Sequence, residues 1–274
     1  MTIRFIHALL LLGISSASAA VDTEYLQGLG DVRYHYIEST NVERAFHIYV
    51  ALPSDYDPES SEKYPTIYIL DGGTLFPILS PYYRALNFGE GLPDVIIVGI
   101  SYGNDNYGNG NYRSTDFTAP STERAHYGGA ETYQQFLASE LIPLIEETYA
   151  SRPDRRILFG TSLGGQFVLY SALTQPSLFW GYIANNPALH RNLPFFLQHH
   201  SETESGGEQP RLFVGDGTLN DERFRIPSQK WINHWADRDD KPWALKTMDL
   251  EGHSHMSSWP ASFRQGLHWV FSDD

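Results

Sequence analysis

Gly160-Thr161-Ser162-Leu163-Gly164 sets a serine between two glycines, after the apolar run Arg156-Ile-Leu-Phe159 and before a helical pattern over 163–173. A nucleophile elbow needs that order: a strand ends, the serine takes a strained turn that lifts its hydroxyl above the sheet, and a helix begins. Side chains two positions to either side would collide with the adjoining strand and helix, and Gly165 adds one more small position. A serine hydroxyl attacks a carbonyl only when a base takes its proton and an acid orients that base. The chemistry indicated is acyl transfer through Ser162.

In this architecture the acid and then the histidine follow the serine along the chain. His253 and His255, in Glu251-Gly-His-Ser-His255, directly follow the last strand pattern (244–250), and either suits the base. Asp216, Asp221 and Glu222 follow the run Arg211-Leu-Phe-Val214 and qualify as acid by order, with Asp216 close to the strand end. Stabilising the oxyanion takes two backbone N–H groups. Leu163, next to the nucleophile, supplies one, and Gly73, in Asp71-Gly72-Gly73-Thr74, is the candidate for the other. A His-x-His pair also suits a metal, but no carboxylate or cysteine cluster accompanies it, so neither metal nor cofactor is expected.

The elements that must hold these residues are legible as patterns. Stretches 32–38 and 44–52 alternate polar and apolar residues, as half-buried antiparallel strands do, with Ser39-Thr40-Asn41 as the turn between them. Runs 66–70 and 95–100 are continuously apolar, as strands covered on both faces are. A helical stripe over 132–149 contains Pro143, which predicts a kink or break. Strands at 156–159, 181–184, 211–214 and 244–250 alternate with helices at 163–173, 228–236 and 262–271, and 199–209 is a polar surface loop. Alternation of this kind predicts a mainly parallel sheet with helices on both faces, preceded by antiparallel strands.

Residues 1–20 read as a secretory signal: Arg4, an apolar run from Phe5 to Ile14, then small residues from Ala17 to Ala20. The run is too short to span a bilayer. Export to the periplasm or medium is therefore expected, with 21–274 as one domain. The chain contains no cysteine, so its stability after export rests on the core and hydrogen bonds. A formal charge of −14 opposes association with nucleic acid and anionic lipid and says nothing of the substrate.

Together these motifs resemble the esterase branch of the α/β-hydrolases, which includes esterase D, siderophore esterases, feruloyl and acetyl-xylan esterases and mycolyltransferases. The likeness covers 46–271. Tyr64-Pro-Thr-Ile-Tyr-Ile-Leu-Asp-Gly72 is similar to the branch's strand ending in Asp-Gly, and Arg113-Ser-Thr-Asp-Phe-Thr-Ala-Pro120 to its R-x-x-D-x-T-P stretch. The resemblance implies an α/β-hydrolase fold and two-step ester cleavage. It also implies His255 as base, because His255-Met-Ser257 with Gly266-Leu267 reproduces the branch's spacing. Many relatives carry Gly-Thr-Asn-Asp after the penultimate strand. Gly217-Thr-Leu-Asn-Asp221 differs by one inserted residue and implies Asp221 as acid.

Ligands in such sheets bind beyond the carboxyl ends of the strands. Tyr102, Tyr107, Tyr112 and Arg113 follow one strand there, and Asn186 and His190 another, which makes them candidate substrate contacts. Tyrosines in a polar loop suit stacking on an aromatic or sugar ring. The expected partner is a small aromatic, sugar or siderophore ester. Acyl transfer to an alcohol, or a hydrolase-like binding protein without activity, are the competing functions.

Overall fold

A computed structural model describes residues 27–59, 61–104, 110–198 and 208–272. The expected signal segment and Tyr107 lie outside the described residues. Within them one eight-stranded sheet runs in the order β1-β2-β4-β3-β5-β6-β7-β8.

β1 (Val32–Ser39) and β2 (Arg44–Ala51) form an antiparallel hairpin at one edge, and β2 also lies antiparallel to β4 (Ile96–Ser101). β3 (Tyr64–Ile69), β4, β5 (Ser151–Thr161), β6 (Gly181–Asn185), β7 (Arg211–Gly217) and β8 (Ala244–Leu250) are mutually parallel. Every residue of β3 and β4 is buried, which explains their unbroken apolar runs. Apolar cores fill both faces of the sheet, one around Phe46, Phe136 and Phe167, the other around Phe76, Phe159 and Phe263. This is the α/β-hydrolase architecture.

The helical stripe over 132–149 is realised as α3 (Ala130–Phe136), a π-helical turn (Leu137–Leu141) and α4 (Ile142–Thr148). Pro143 lacks the N–H that would bond the carbonyl four residues back, and the helix widens just before it. Glu140, on the widened turn, accepts bonds from Thr40 and Asn41 and so ties down the β1–β2 turn. A long helix, α1 (Gly72–Glu90), had no readable pattern because Pro77 and Pro81 lie inside it. The remaining helices are α2 (Arg113–Asp116), α5 (Leu163–Thr174), α6 (Leu193–Phe196), α7 (Glu222–Ala236) and α8 (Trp259–Val270). Among the described residues no helix is long and apolar enough to cross a membrane.

Candidate active site

The strand order explains why distant residues meet. The chain leaves β3 toward β4 on one side and later leaves β5 toward β6 on the other, so the connections that follow the neighbouring strands β3 and β5 part at their carboxyl ends. Ligands bind at such a switch point. β3 ends in the Asp71–Gly73 turn and β5 ends at Ser162. A cavity of about 380 Å³ opens there, lined by Gly73, Arg113, Ser162, His255 and Trp259 among others.

Ser162 has φ 58° and ψ −116°, a conformation that costs a non-glycine residue about 1–3 kcal/mol. Close packing holds it there. A Cβ on Gly160 would lie 2.4 Å from the Gly164 carbonyl oxygen, and one on Gly165 would lie 2.7 Å from the Asn185 carbonyl oxygen. At Gly164 the nearest atom would be 3.4 Å away, an ordinary contact, so the tight position on the helix side is Gly165 rather than Gly164.

Gly73 and Leu163 each lie in the first turn of a helix, where backbone N–H groups have no acceptor within the helix. Gly73 faces the cavity, and Leu163 follows Ser162 with its side chain in the core. Arg113, itself on the cavity wall, clamps the Gly73 turn: its guanidinium donates to both Asp71 carboxylate oxygens, at 2.7 and 2.8 Å.

Of the two candidate histidines, the fold brings His255 to the cavity. The His253 ring bonds the Ser257 carbonyl within its own loop, at 3.0 Å. The partner of His255 is not Asp221. That carboxylate caps α7 by accepting the Arg223 N–H at 2.9 Å, and it is solvent-exposed. Asn220, one residue earlier and buried, sets its Oδ1 3.0 Å from His255 Nδ1. Its Nδ2 donates to Asp216 at 3.3 Å, and Asp216 is wholly buried and also accepts from Gln229. A carboxylate only accepts, so Asp216 turns the Asn220 NH₂ toward itself and the amide oxygen toward His255. Nδ1 then carries the imidazole proton, and the free lone pair is on Nε2. Glu222 lies on the exposed first turn of α7.

Burial holds the His255 pKa below the ordinary 6.5, helped by the positive charges of Arg113 and Arg223. The Phe224 ring lies 4.3 Å from the His255 ring, centre to centre, and adds to that burial. Burial also raises the Asp216 carboxyl above its usual range.

Several expected substrate contacts have other positions. Asn186 is fully buried: its Nδ2 donates to the His255 carbonyl (3.1 Å) and Ser258 Oγ (2.6 Å), and its Oδ1 accepts from Gly217 N–H (2.8 Å). It holds the histidine loop against β7. Its neighbour Asn185 bonds Thr161 and Ser258, linking that loop to the elbow. Neither asparagine announced this role, since the pair sits in an apolar strand end like any turn residue. His190 lies edge-on to Phe224 on the rim of a separate depression, and its contact is with Phe224, whose ring also touches His255. Tyr112 lies under the Arg44 guanidinium at 4.4 Å, away from the cavity, because the turn into α2 sends Arg113 inward and Tyr112 out. Tyr102 does line the cavity, with its hydroxyl held by Asp116 at 2.8 Å. Among the described residues no cluster of His, Cys, Asp or Glu is suited to a metal.

The model of the family described as "Putative esterase" matches residues 39–265. The chain is 29% identical over 259 residues to the ferri-bacillibactin esterase BesA of Bacillus subtilis, covering 87% of this chain and 89% of that protein. Among solved structures it superposes on the enterobactin and salmochelin hydrolase IroE with a TM-score of 0.69 and 25% identity, covering 90% of this chain and 96% of that one. An IroE-like serine hydrolase from Shewanella oneidensis gives a TM-score of 0.78 at 24% identity over 89% of this chain and 81% of that one.

Proposed function

The chain belongs to the Putative esterase family and is an ester-cleaving hydrolase, and from that premise we propose that it hydrolyses a siderophore ester with Ser162 as nucleophile and His255 as base. The observation that carries the reading is Ser162 strained at the end of β5, facing one cavity with a histidine whose Nδ1 is held by Asn220.

In the proposed cycle, Ser162 Oγ attacks the ester carbonyl while His255 Nε2 takes its proton. The N–H groups of Gly73 and Leu163 support the oxyanion. The tetrahedral intermediate expels the alcohol, which receives the proton from His255. Water, deprotonated by the same imidazole, then releases the acid from Ser162. Asn220 stands where a carboxylate would, so the full negative charge lies one side chain further back, on Asp216. The expected signal segment supports a site of action outside the cytoplasm.

Siderophore substrates are favoured over sugar or feruloyl esters by BesA and IroE, whose names specify such substrates. Incubating the purified protein with enterobactin, a feruloyl ester and an acetylated sugar, with products followed by mass spectrometry, tests this. Fastest cleavage of enterobactin is expected, and preference for either other ester overturns the substrate assignment. A dominant transesterified product with added glycerol would make the protein an acyltransferase.

A further inference from the structure

Asp216, the buried carboxylate behind Asn220, has a second carboxylate as its register partner: Asp249 of β8, the next strand of the sheet. Side-by-side residues of neighbouring strands share one face, so the two carboxylates lie together. Asp216 is wholly buried, while the Asp249 side chain is 56% exposed. α7 sends two residues, one turn apart, to both. Gln229 Nε2 donates to Asp216 at 3.1 Å and to Asp249 at 3.2 Å. Arg225 donates to Asp249 at 3.0 Å and to the Gly217 carbonyl at 3.3 Å, with its guanidinium 3.4 Å from Asp216. One cation is thus divided between two carboxylates, and the exposed one holds it more closely.

That division bears on His255 through the amide of Asn220. An ionised Asp216 only accepts, so it draws the Asn220 NH₂ and leaves the amide oxygen for His255 Nδ1. A protonated Asp216 carries an O–H donor, which the amide oxygen accepts once the amide turns over. The NH₂ then faces Nδ1. The imidazole responds by giving its Nδ1 proton to water and taking one on Nε2, with no change in charge. In that tautomer Nε2 has no lone pair for the Ser162 proton. Burial and the Asp249 charge push the Asp216 carboxyl up, whereas Gln229, Asn220 and Arg225 hold it down.

We propose that Arg225 and Asp249 are positioning residues for the catalytic histidine: Arg225 keeps Asp216 ionised and the Asn220 amide turned for catalysis, and Asp249 opposes it. The proposal rests on the esterase reading of Ser162 and His255. Neither residue lines the catalytic cavity, so both act at a distance from the reacting atoms. His255 also faces the charges of Arg113, Arg223, His190 and Asp221, and an effect passed through Asp216 must be separated from a direct one.

The test is the pH profile of kcat/KM for p-nitrophenyl acetate in Arg225→Gln, Arg225→Lys and the double variant Arg225→Gln/Asp249→Asn. Arg225→Gln should move the acid-limb midpoint up by about one unit or more, the usual effect of losing an adjacent opposite charge. Arg225→Lys keeps the charge and should stay close to wild type. Adding Asp249→Asn to Arg225→Gln should recover at least half of the shift. In an Asp216→Asn background Arg225→Gln should leave the midpoint in place, since residue 216 no longer titrates. Nitrogen-15 NMR of histidine-labelled protein gives a readout without turnover: Arg225→Gln should add an Nε2-protonated form of neutral His255 that wild type lacks. A midpoint unmoved by Arg225→Gln, a shift that Asp249→Asn does not reverse, or one that survives in the Asp216→Asn background overturns the proposal. Failure of the esterase reading is separate: Ser162→Ala would then hydrolyse the ester as wild type does.

Discussion

Asn220 Oδ1 lies 3.0 Å from His255 Nδ1, while the neighbouring Asp221 turns away to cap α7. The two side chains should therefore respond differently to removal. Asn220→Ala is expected to lower kcat at least tenfold, since an unheld imidazole loses its tautomer and orientation, and general-base catalysis is worth about 10²–10⁴-fold. Asp221→Ala should leave kcat within about twofold and cost about 1 kcal/mol of stability, the usual value of a helix cap. Steady-state kinetics with thermal melts on both variants separates the roles.

Asp216 acts on the histidine only through Asn220, by fixing which way the amide faces. Asp216→Asn offers the Asn220 NH₂ an amide that can also donate, so the flipped rotamer becomes accessible. A fall in kcat with little change in KM is expected. Imidazole N–H resonances in NMR spectra should show loss of the single Nδ1-protonated tautomer, which a purely structural effect on β7 would leave in place.

The pH dependence follows from the environment of His255. Burial, then Arg113 and Arg223, hold its pKa below 6.5, and catalysis requires the neutral imidazole. The acid limb of kcat/KM should therefore have its midpoint below 6.5, with activity persisting into mildly acid solution. Asn220→Asp puts a negative charge beside Nδ1 and favours the imidazolium, so the midpoint should rise by roughly one unit or more. A midpoint unmoved by that substitution would mean that residue 220 does not face the histidine.

Arg113 reaches both oxygens of Asp71, at the start of the turn that presents Gly73. Lysine cannot reproduce this planar two-point contact. Arg113→Lys is thus expected to lower kcat several-fold by loosening an oxyanion donor, because removing one such donor outright costs about 10²–10³. It should also raise the acid-limb midpoint less than Arg113→Ala does, because the positive charge remains.

The elbow was legible because strand, glycines, serine and helix are local in sequence, and β8 with its histidine loop was legible for the same reason. The orienting side chain was not. One extra residue in Gly217-Thr-Leu-Asn-Asp221 moves the last aspartate onto the helix start, where the cap takes it, and leaves asparagine beside the histidine. That outcome depends on where α7 begins, and Pro227 obscured its first turns. Asn186 and Tyr112 looked alike as loop residues beyond strand ends. Tertiary contacts then buried one under the histidine loop and stacked the other on Arg44. Of the substrate contacts expected from position alone, Tyr102 and Arg113 line the cavity. Both follow β4, the strand beside β3 and its Asp71–Gly73 turn.

The central claim is that Ser162 becomes covalently acylated during ester cleavage. Its most direct measurement is the intact mass of the protein after diisopropyl fluorophosphate treatment, with peptide mapping and residual activity, for wild type and Ser162→Ala. Wild type should gain a single diisopropylphosphoryl group on the peptide containing Ser162 and lose esterase activity in proportion. Ser162→Ala should gain no such group and show no turnover above background. Labelling at another residue, or hydrolysis by Ser162→Ala at the wild-type rate, would contradict the account.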